Sequence, residues 1–280
     1  MKIGVCIEFG SMEEMSKKFN SLVENGFDNF QLICWKLELF TEENAKTIKE
    51  LCVQYGVTVS AFWCGWEGPA EWNFSGGPKT LGLIPTEWRE TRIKNLCAGS
   101  DFAKILGVEN VVTHMGFIYE DMNHPDFEPF CDAVRRVAEH CKANGQNLLF
   151  ETGQETPVAM LRTIEKVGMD NLGVNLDTAN LILYGKANPV DALDVFGKYV
   201  KNLHAKDGTY PTDGTSLGSE TRIGEGKVDF KGVIAGLHAL GYDGYVTIER
   251  EISGEEQTKD ILSAREYLQN IINEVEGGSK

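Results

Sequence analysis

A single phrase recurs along this chain: amphipathic stretch, glycine, short turn, apolar run. Few architectures accept that repetition. It can be read in ENGFDNFQLI, ILGVENVVTH, KVGMDNLGVN and ALGYDGYVTI. Gly26, Gly56, Gly107, Gly145, Gly168 and Gly241 each close an amphipathic stretch and precede the next apolar run. A helix commonly ends there on a left-handed residue, a conformation that costs glycine least. The apolar runs cover 2–8, 28–35, 57–64, 109–114, 147–151, 172–177, 200–205 and 244–249. They are short, rich in Val, Ile, Leu and Phe, and bounded by turn residues, as strands are. The stretches 11–25, 41–55, 86–106, 125–144, 155–168, 189–197, 229–240 and 256–275 keep helical spacing, with cap signals at Ser11, Thr41, Asp191 and Ser253.

Eight such units predict an α/β chain folded as a (β/α)8 TIM barrel. Its 280 residues slightly exceed the typical size of that fold, about 250. Two domains of about 140 residues also fit the length. No linker or low-complexity segment divides the chain, so one domain is expected over 1–276, with 277–280 a flexible tail. An open dinucleotide-binding sheet would put a glycine-rich fingerprint after its first strand. The turn there reads EFGSMEE.

Composition narrows the function. The formal charge of −15, from 27 basic and 42 acidic side chains, argues against nucleic-acid or anionic-membrane partners. Seven scattered cysteines form no CxxC pair, which points to free thiols in a reducing compartment. MKIGVCIEFG reads as a first strand rather than a signal peptide, and no apolar stretch approaches a membrane span. A cytoplasmic enzyme is the expectation, with the oligomeric state open and a homo-oligomer compatible.

Four of the apolar runs end on metal-ligating side chains: Glu151 in LLFETG, Asp177 in VNLDTAN, His204 in KNLHAKD and Glu249 in YVTIERE, spaced by 26, 27 and 45 residues. A strand with its return helix takes roughly 30 residues or more. Four successive units therefore bring one ligand each to the same barrel end, the end that carries active sites. Alone, each has an ordinary reading as a cap, a turn, a core histidine or a surface ion pair. Together, three carboxylates and an imidazole need a cation to neutralise them. The set suits one divalent ion, Mn2+, Mg2+ or Co2+, better than Zn2+.

At these motifs the chain resembles the xylose-isomerase-like TIM-barrel superfamily of sugar isomerases and epimerases. The resemblance covers nearly the whole chain and is strongest from 147 to 251. In the ketose 3-epimerases of that superfamily, strands five to eight give Glu, Asp, His and Glu to one metal. The resemblance carries those roles to Glu151, Asp177, His204 and Glu249. GEGKVDF, with Gly224, Gly226 and Phe230, is similar to the family's loop before its seventh helix. The implied substrate is a small sugar, and the implied chemistry is proton transfer through an enediolate. One of Glu151 and Glu249 removes the proton beside the carbonyl and the other returns one. Two departures matter. Asn180 stands where the epimerases have a substrate-contacting His. HAKD, with Lys206, replaces a motif that leads to a substrate-binding Arg. HxKD recurs in relatives that dehydrate or cleave keto-sugars and cyclitols, such as inosose dehydratase, so a metal-dependent lyase or dehydratase is the alternative. Lys206 then binds an enolate oxygen or a carboxylate, or else it is only a solvent-facing loop residue.

Further candidates stand at other strand ends. His114 closes VVTHMG and Glu8 closes the first strand; each is a possible substrate contact or an ordinary structural residue. Trp63 and Trp66 in FWCGW offer aromatic faces on which a sugar stacks, unless one of them only packs the long 65–85 loop. His140 and His238 lie mid-helix and read as structural. A DNA-cleaving barrel would need several zinc-binding histidines, and only His114, His124 and His204 lie near strand ends. A barrel that merely binds sugars would not need the full ligand set.

Overall fold

The computed structural model describes residues 1–278. Eight parallel strands close into a barrel: β1 (Lys2–Glu8), β2 (Asn29–Cys34), β3 (Thr58–Cys64), β4 (Asn110–Thr113), β5 (Asn147–Glu151), β6 (Leu172–Asp177), β7 (Val200–Ala205) and β8 (Tyr245–Ile248). β8 pairs with both β7 and β1, so the sheet has no free edge. The expected (β/α)8 TIM barrel is what the chain forms. Eight principal helices return the chain: Met12–Glu24, Glu42–Tyr55, Thr86–Leu106, Phe127–Ala143, Pro157–Val167, Pro189–Phe196, Phe230–Ala239 and Glu255–Gly277. The last of these runs through Gly277, where the sequence suggested a loose tail; Ser279 and Lys280 of that tail lie outside the described residues.

The six punctuating glycines all have positive φ, between +67° and +83°. The caps were less legible. Thr41 accepts from the Asn44 amide as expected, whereas Ser11 makes no side-chain cap bond. Asn188, not Asp191, caps its helix by accepting from the Val190 amide, with Pro189 as the first helical residue. Ser253 gives way to Gly254, and that helix starts without a side-chain cap. Among the described residues no helix is long and apolar enough to cross a membrane.

The main core fills the space between strands and helices, with Phe30, Phe62, Phe102, Phe130, Phe150 and Phe196 fully buried. Inside the barrel a polar layer replaces it. Asn202 Nδ2 donates to Gln31 Oε1 (2.7 Å) and Asn175 Oδ1 (2.5 Å). A second apolar cluster, which includes Trp63, Trp66, Leu81, Val112 and Leu149, joins the barrel to the loop after β3.

That loop, 65–85, is fastened chiefly by Arg92, with Arg89 donating to the Leu83 and Ile84 carbonyls at 2.6 and 2.7 Å. Arg92 is fully buried, and its guanidinium donates to the carbonyls of Glu67 (3.0 Å), Pro69 (2.8 Å), Thr80 (2.7 Å) and Gly82 (2.7 Å). It also lies 5.3 Å from the Trp66 ring. The other long connection follows β7 and contains a two-stranded antiparallel piece, Asp207–Gly208 with Glu220–Thr221. The Asp207 carboxylate organises it by accepting from the amides of Gly208, Gly224, Gly226 and Val228, at 2.8–3.1 Å. A Cβ on Gly226 would lie 2.1 Å from Asp207 Oδ1, so only glycine fits. The GEGKVDF segment is therefore wrapped around a carboxylate of its own chain.

Candidate metal centre

Each of the four proposed ligands sits at or beside the C-terminal end of its strand. Glu151 ends β5, Asp177 ends β6, His204 is the penultimate residue of β7, and Glu249 directly follows β8. One ligand atom from each lies within 4.8 Å of the others. His204 Nδ1 faces all three carboxylates, at 3.0 Å from Glu151 Oε1, 3.3 Å from Glu249 Oε2 and 3.7 Å from Asp177 Oδ2. Its Nε2 points away, 4.0 Å from Cys6 Sγ. Burial pushes the Cys6 thiol up to about 11, so Cys6 is a neutral neighbour rather than a thiolate.

The backbone aims these groups. Asp177 also caps the short helix Thr178–Leu183, its Oδ1 accepting from the Asn180 amide at 2.7 Å. Oδ2 is left toward the cluster, buried and without a hydrogen-bond partner. The residue after each of the first two ligands stitches neighbouring strands together. Thr152 Oγ1 donates to the Asp177 carbonyl and accepts from its amide, both at 2.8 Å. Thr178 Oγ1 donates to the Lys206 carbonyl at 2.6 Å.

The electrostatics describe a site that gathers positive charge. Burial opposes an imidazolium at His204, yet the carboxylates of Glu151, Glu249 and Asp177 outweigh it and hold its pKa well above the ordinary value. Burial likewise opposes the Lys206 ammonium, and Glu249, Asp177 and Glu251 overcome it. Burial pushes Asp177 up to about 7 despite Lys206. Glu249 moves well below the usual carboxylate range, because Lys206 and His204 outweigh burial. A divalent cation fits this donor set. It would satisfy Asp177 Oδ2 and His204 Nδ1, both buried and without a hydrogen bond in the protein, and offset three carboxylates.

The remaining predicted residues divide. Glu8, Trp63, His114 and Asn180 line the cavity above the cluster, which measures about 710 Å3 and so suits a small molecule. Trp63 Nε1 donates to Glu151 Oε2, and His114 Nε2 stands 3.7 Å from the same oxygen. Lys206 is not a solvent-facing loop residue. It is 1% exposed, with Nζ 2.7 Å from Glu251 Oε1 and 3.4 Å from Glu249 Oε2. Trp66 corrects the expectation of a substrate wall. It lies behind the cavity lining, against Trp35, Trp63 and Arg92. The wall facing the cavity is Trp35, Trp63 and Trp72, with Trp35 4.7 Å from Trp63 and 6.2 Å from Trp72. Trp35 stands just past β2, so the strand-end rule applied to the other candidates would have found it. Trp72 needs tertiary structure.

A family model described as xylose isomerase-like TIM barrel matches residues 19–271. The crystal structure of a xylose isomerase domain protein from Planctomyces limnophilus is 30% identical, with a TM-score of 0.92 over 99% of both chains. A D-tagatose 3-epimerase-like protein superposes with a TM-score of 0.76 at 22% identity, over all of both chains. An inosose dehydratase of Lacticaseibacillus casei is 23% identical over 180 residues, 56% of this chain and 59% of its own.

Proposed function

The chain belongs to the xylose isomerase-like TIM-barrel family, and from that premise we propose that it is a divalent-metal-dependent sugar isomerase or epimerase. It acts as a single domain on a ketose or keto-sugar. The observation that carries the reading is the convergence of Glu151, Asp177, His204 and Glu249 at the C-terminal ends of four successive strands. Those residues would hold Mn2+, Mg2+ or Co2+, which when bound supplies Lewis acidity to the substrate's carbonyl.

The chain's own groups do the proton work. Glu151 keeps one oxygen toward His204 and the other under Trp63 and His114. Glu249 is the second carboxylate of the pair. One takes the proton from the carbon beside the carbonyl and the other delivers a proton to that carbon. Trp35, Trp63 and Trp72 offer faces to the apolar side of a sugar. Seven unpaired thiols fit a reducing, cytoplasmic setting.

A second reading, loss of water from a keto-sugar or cyclitol, is favoured by one observation. Lys206 places a buried ammonium beside Glu249, where it can bind an enolate oxygen or donate a proton to a leaving hydroxyl. NMR of the Mn2+-loaded protein with ketoses and keto-sugars in D2O separates the two. An isomerase yields an epimer or isomer labelled beside the carbonyl, with no loss of water. A dehydratase yields label together with loss of water, and Lys206→Ala impairs it strongly. A panel that stays unlabelled and unconverted refutes both.

A further inference from the structure

Two residues that line the cavity carry buried polar atoms without a hydrogen bond in the protein: both amide atoms of Gln154 and the Tyr184 hydroxyl. Gln154 is 1% exposed and Tyr184 5% exposed, and both line the same cavity as the metal centre. The phenol stands close enough to the Gln154 amide for its acidity to respond, but no hydrogen bond of acceptable geometry joins them. A folded interior pairs its buried polar atoms. Three unpaired ones side by side on a cavity wall mark a place where a ligand completes the bonding.

Both side chains are held from behind. The turn carrying Gln154 is fixed by the Gly153 amide, which donates to Glu155 Oε1 at 3.2 Å. A Cβ on Gly153 would lie 3.3 Å from Asn180 Cβ and 3.5 Å from His114 Cε1, so the turn is wedged between two residues of the site. The Tyr184 ring is braced edge-on by Phe74 and Phe117, at 6.1 and 5.8 Å. Each group is also tied in sequence to a ligand. Gln154 lies three residues past Glu151, and Tyr184 ends the helix that Asp177 caps. A substrate anchored here is held in register with the cluster.

We propose that Gln154 and Tyr184 form a second recognition subsite, which takes neighbouring hydroxyls on the part of the sugar that does not react. This rests on the sugar reading above. An amide and a phenol each donate and accept while carrying no charge, which matches a neutral diol. A phosphate ester would call for a cation, and neither of these two groups supplies one, so the subsite selects an unphosphorylated end.

The test compares wild type with Gln154→Met and Tyr184→Phe, which keep size and remove the polar atoms. The substrates are the ketose or keto-sugar that turns over in the D2O panel and its series of deoxy analogues. Each variant is expected to raise KM about 10-fold, equal to about 1.4 kcal/mol, with kcat and Mn2+ affinity little changed. Each should also lose the wild type's discrimination against one deoxy analogue. Unchanged KM and unchanged discrimination overturn the subsite, and so does a lowered Tm with unchanged KM, since the two groups then only support the fold. Tight use of a phosphate ester at that end overturns it as well. A wild type that converts no sugar and binds no polyol refutes the sugar reading itself, and the subsite with it.

Discussion

Thr152→Val tests whether the strand stitching holds the metal centre in shape. The substitution is nearly isosteric and leaves no cavity. It removes a hydroxyl that donates to the Asp177 carbonyl and accepts from the Asp177 amide, both at 2.8 Å in the fully buried interior. The lost carbonyl bond is worth about 1 kcal/mol, and an amide buried without its acceptor costs about 1–3 kcal/mol more, so the sum is about 2–4 kcal/mol. At roughly 2 °C per kcal/mol for a chain of this size, Tm should fall by about 4–8 °C. Asp177 also loses its fixed orientation, which should weaken Mn2+ binding by about 10–100-fold. Calorimetry and metal titration measure the two effects separately. Thr152→Ser, which keeps the hydroxyl, should stay near wild type on both. A valine variant with unchanged Tm and unchanged Mn2+ affinity would refute the reasoning, and so would a serine variant as impaired as valine.

Glu151→Gln and Glu249→Gln should each lower kcat by at least about 100-fold while the barrel stays folded, because a positioned acid–base group contributes about 10²–10⁴-fold; more than a tenth of wild-type activity in either rules out its proton role. Chelation should lower Tm, and Mn2+ at about 100 times its Kd should restore about 2.7 kcal/mol; a melting curve indifferent to both would sink the four-ligand site. Glu155 is pushed up to about 8 by burial, so between its ordinary value near 4.5 and about 8 the native state holds a proton that the unfolded chain has released. Stability should therefore fall as pH rises through that window, and Glu155→Gln, which has no proton to lose, should show a flatter Tm profile; parallel profiles would contradict this.

The sequence displayed the barrel because helix-to-glycine punctuation is local, and each of the six glycines carries its own backbone requirement. The four ligands were legible for the same reason, since strand ends can be counted. What escaped detection depends on contacts across the chain. Nothing in the dipeptides Glu151–Thr152 and Asp177–Thr178 says that each threonine hydroxyl reaches the next strand. The helix Thr178–Leu183 was missed because all six of its residues are buried, which leaves no amphipathic period to read. Asn188 was overlooked as a cap although Asn-Pro is a recognised helix start, because the acidic Asp191 drew the assignment inward. Trp66 and Trp72 lie in one loop, and only the fold decides which of them faces the cavity.

Arg92 makes its four hydrogen bonds to the 65–85 loop through main-chain carbonyls, with the Trp66 ring beside it. Every amino acid carries the same carbonyl, so these bonds are blind to the side chains displayed between Pro69 and Thr80. Trp72, between the gripped points, can change while that anchorage stays intact, whereas Gly77 cannot, because a Cβ there would lie 2.5 Å from Phe117 and 3.0 Å from the Glu71 carbonyl. The barrel thus separates holding the loop from what the loop recognises. Exchanging Trp72 for other residues is a route to new sugar preferences that keeps the four metal ligands, at the ends of β5 to β8, in place.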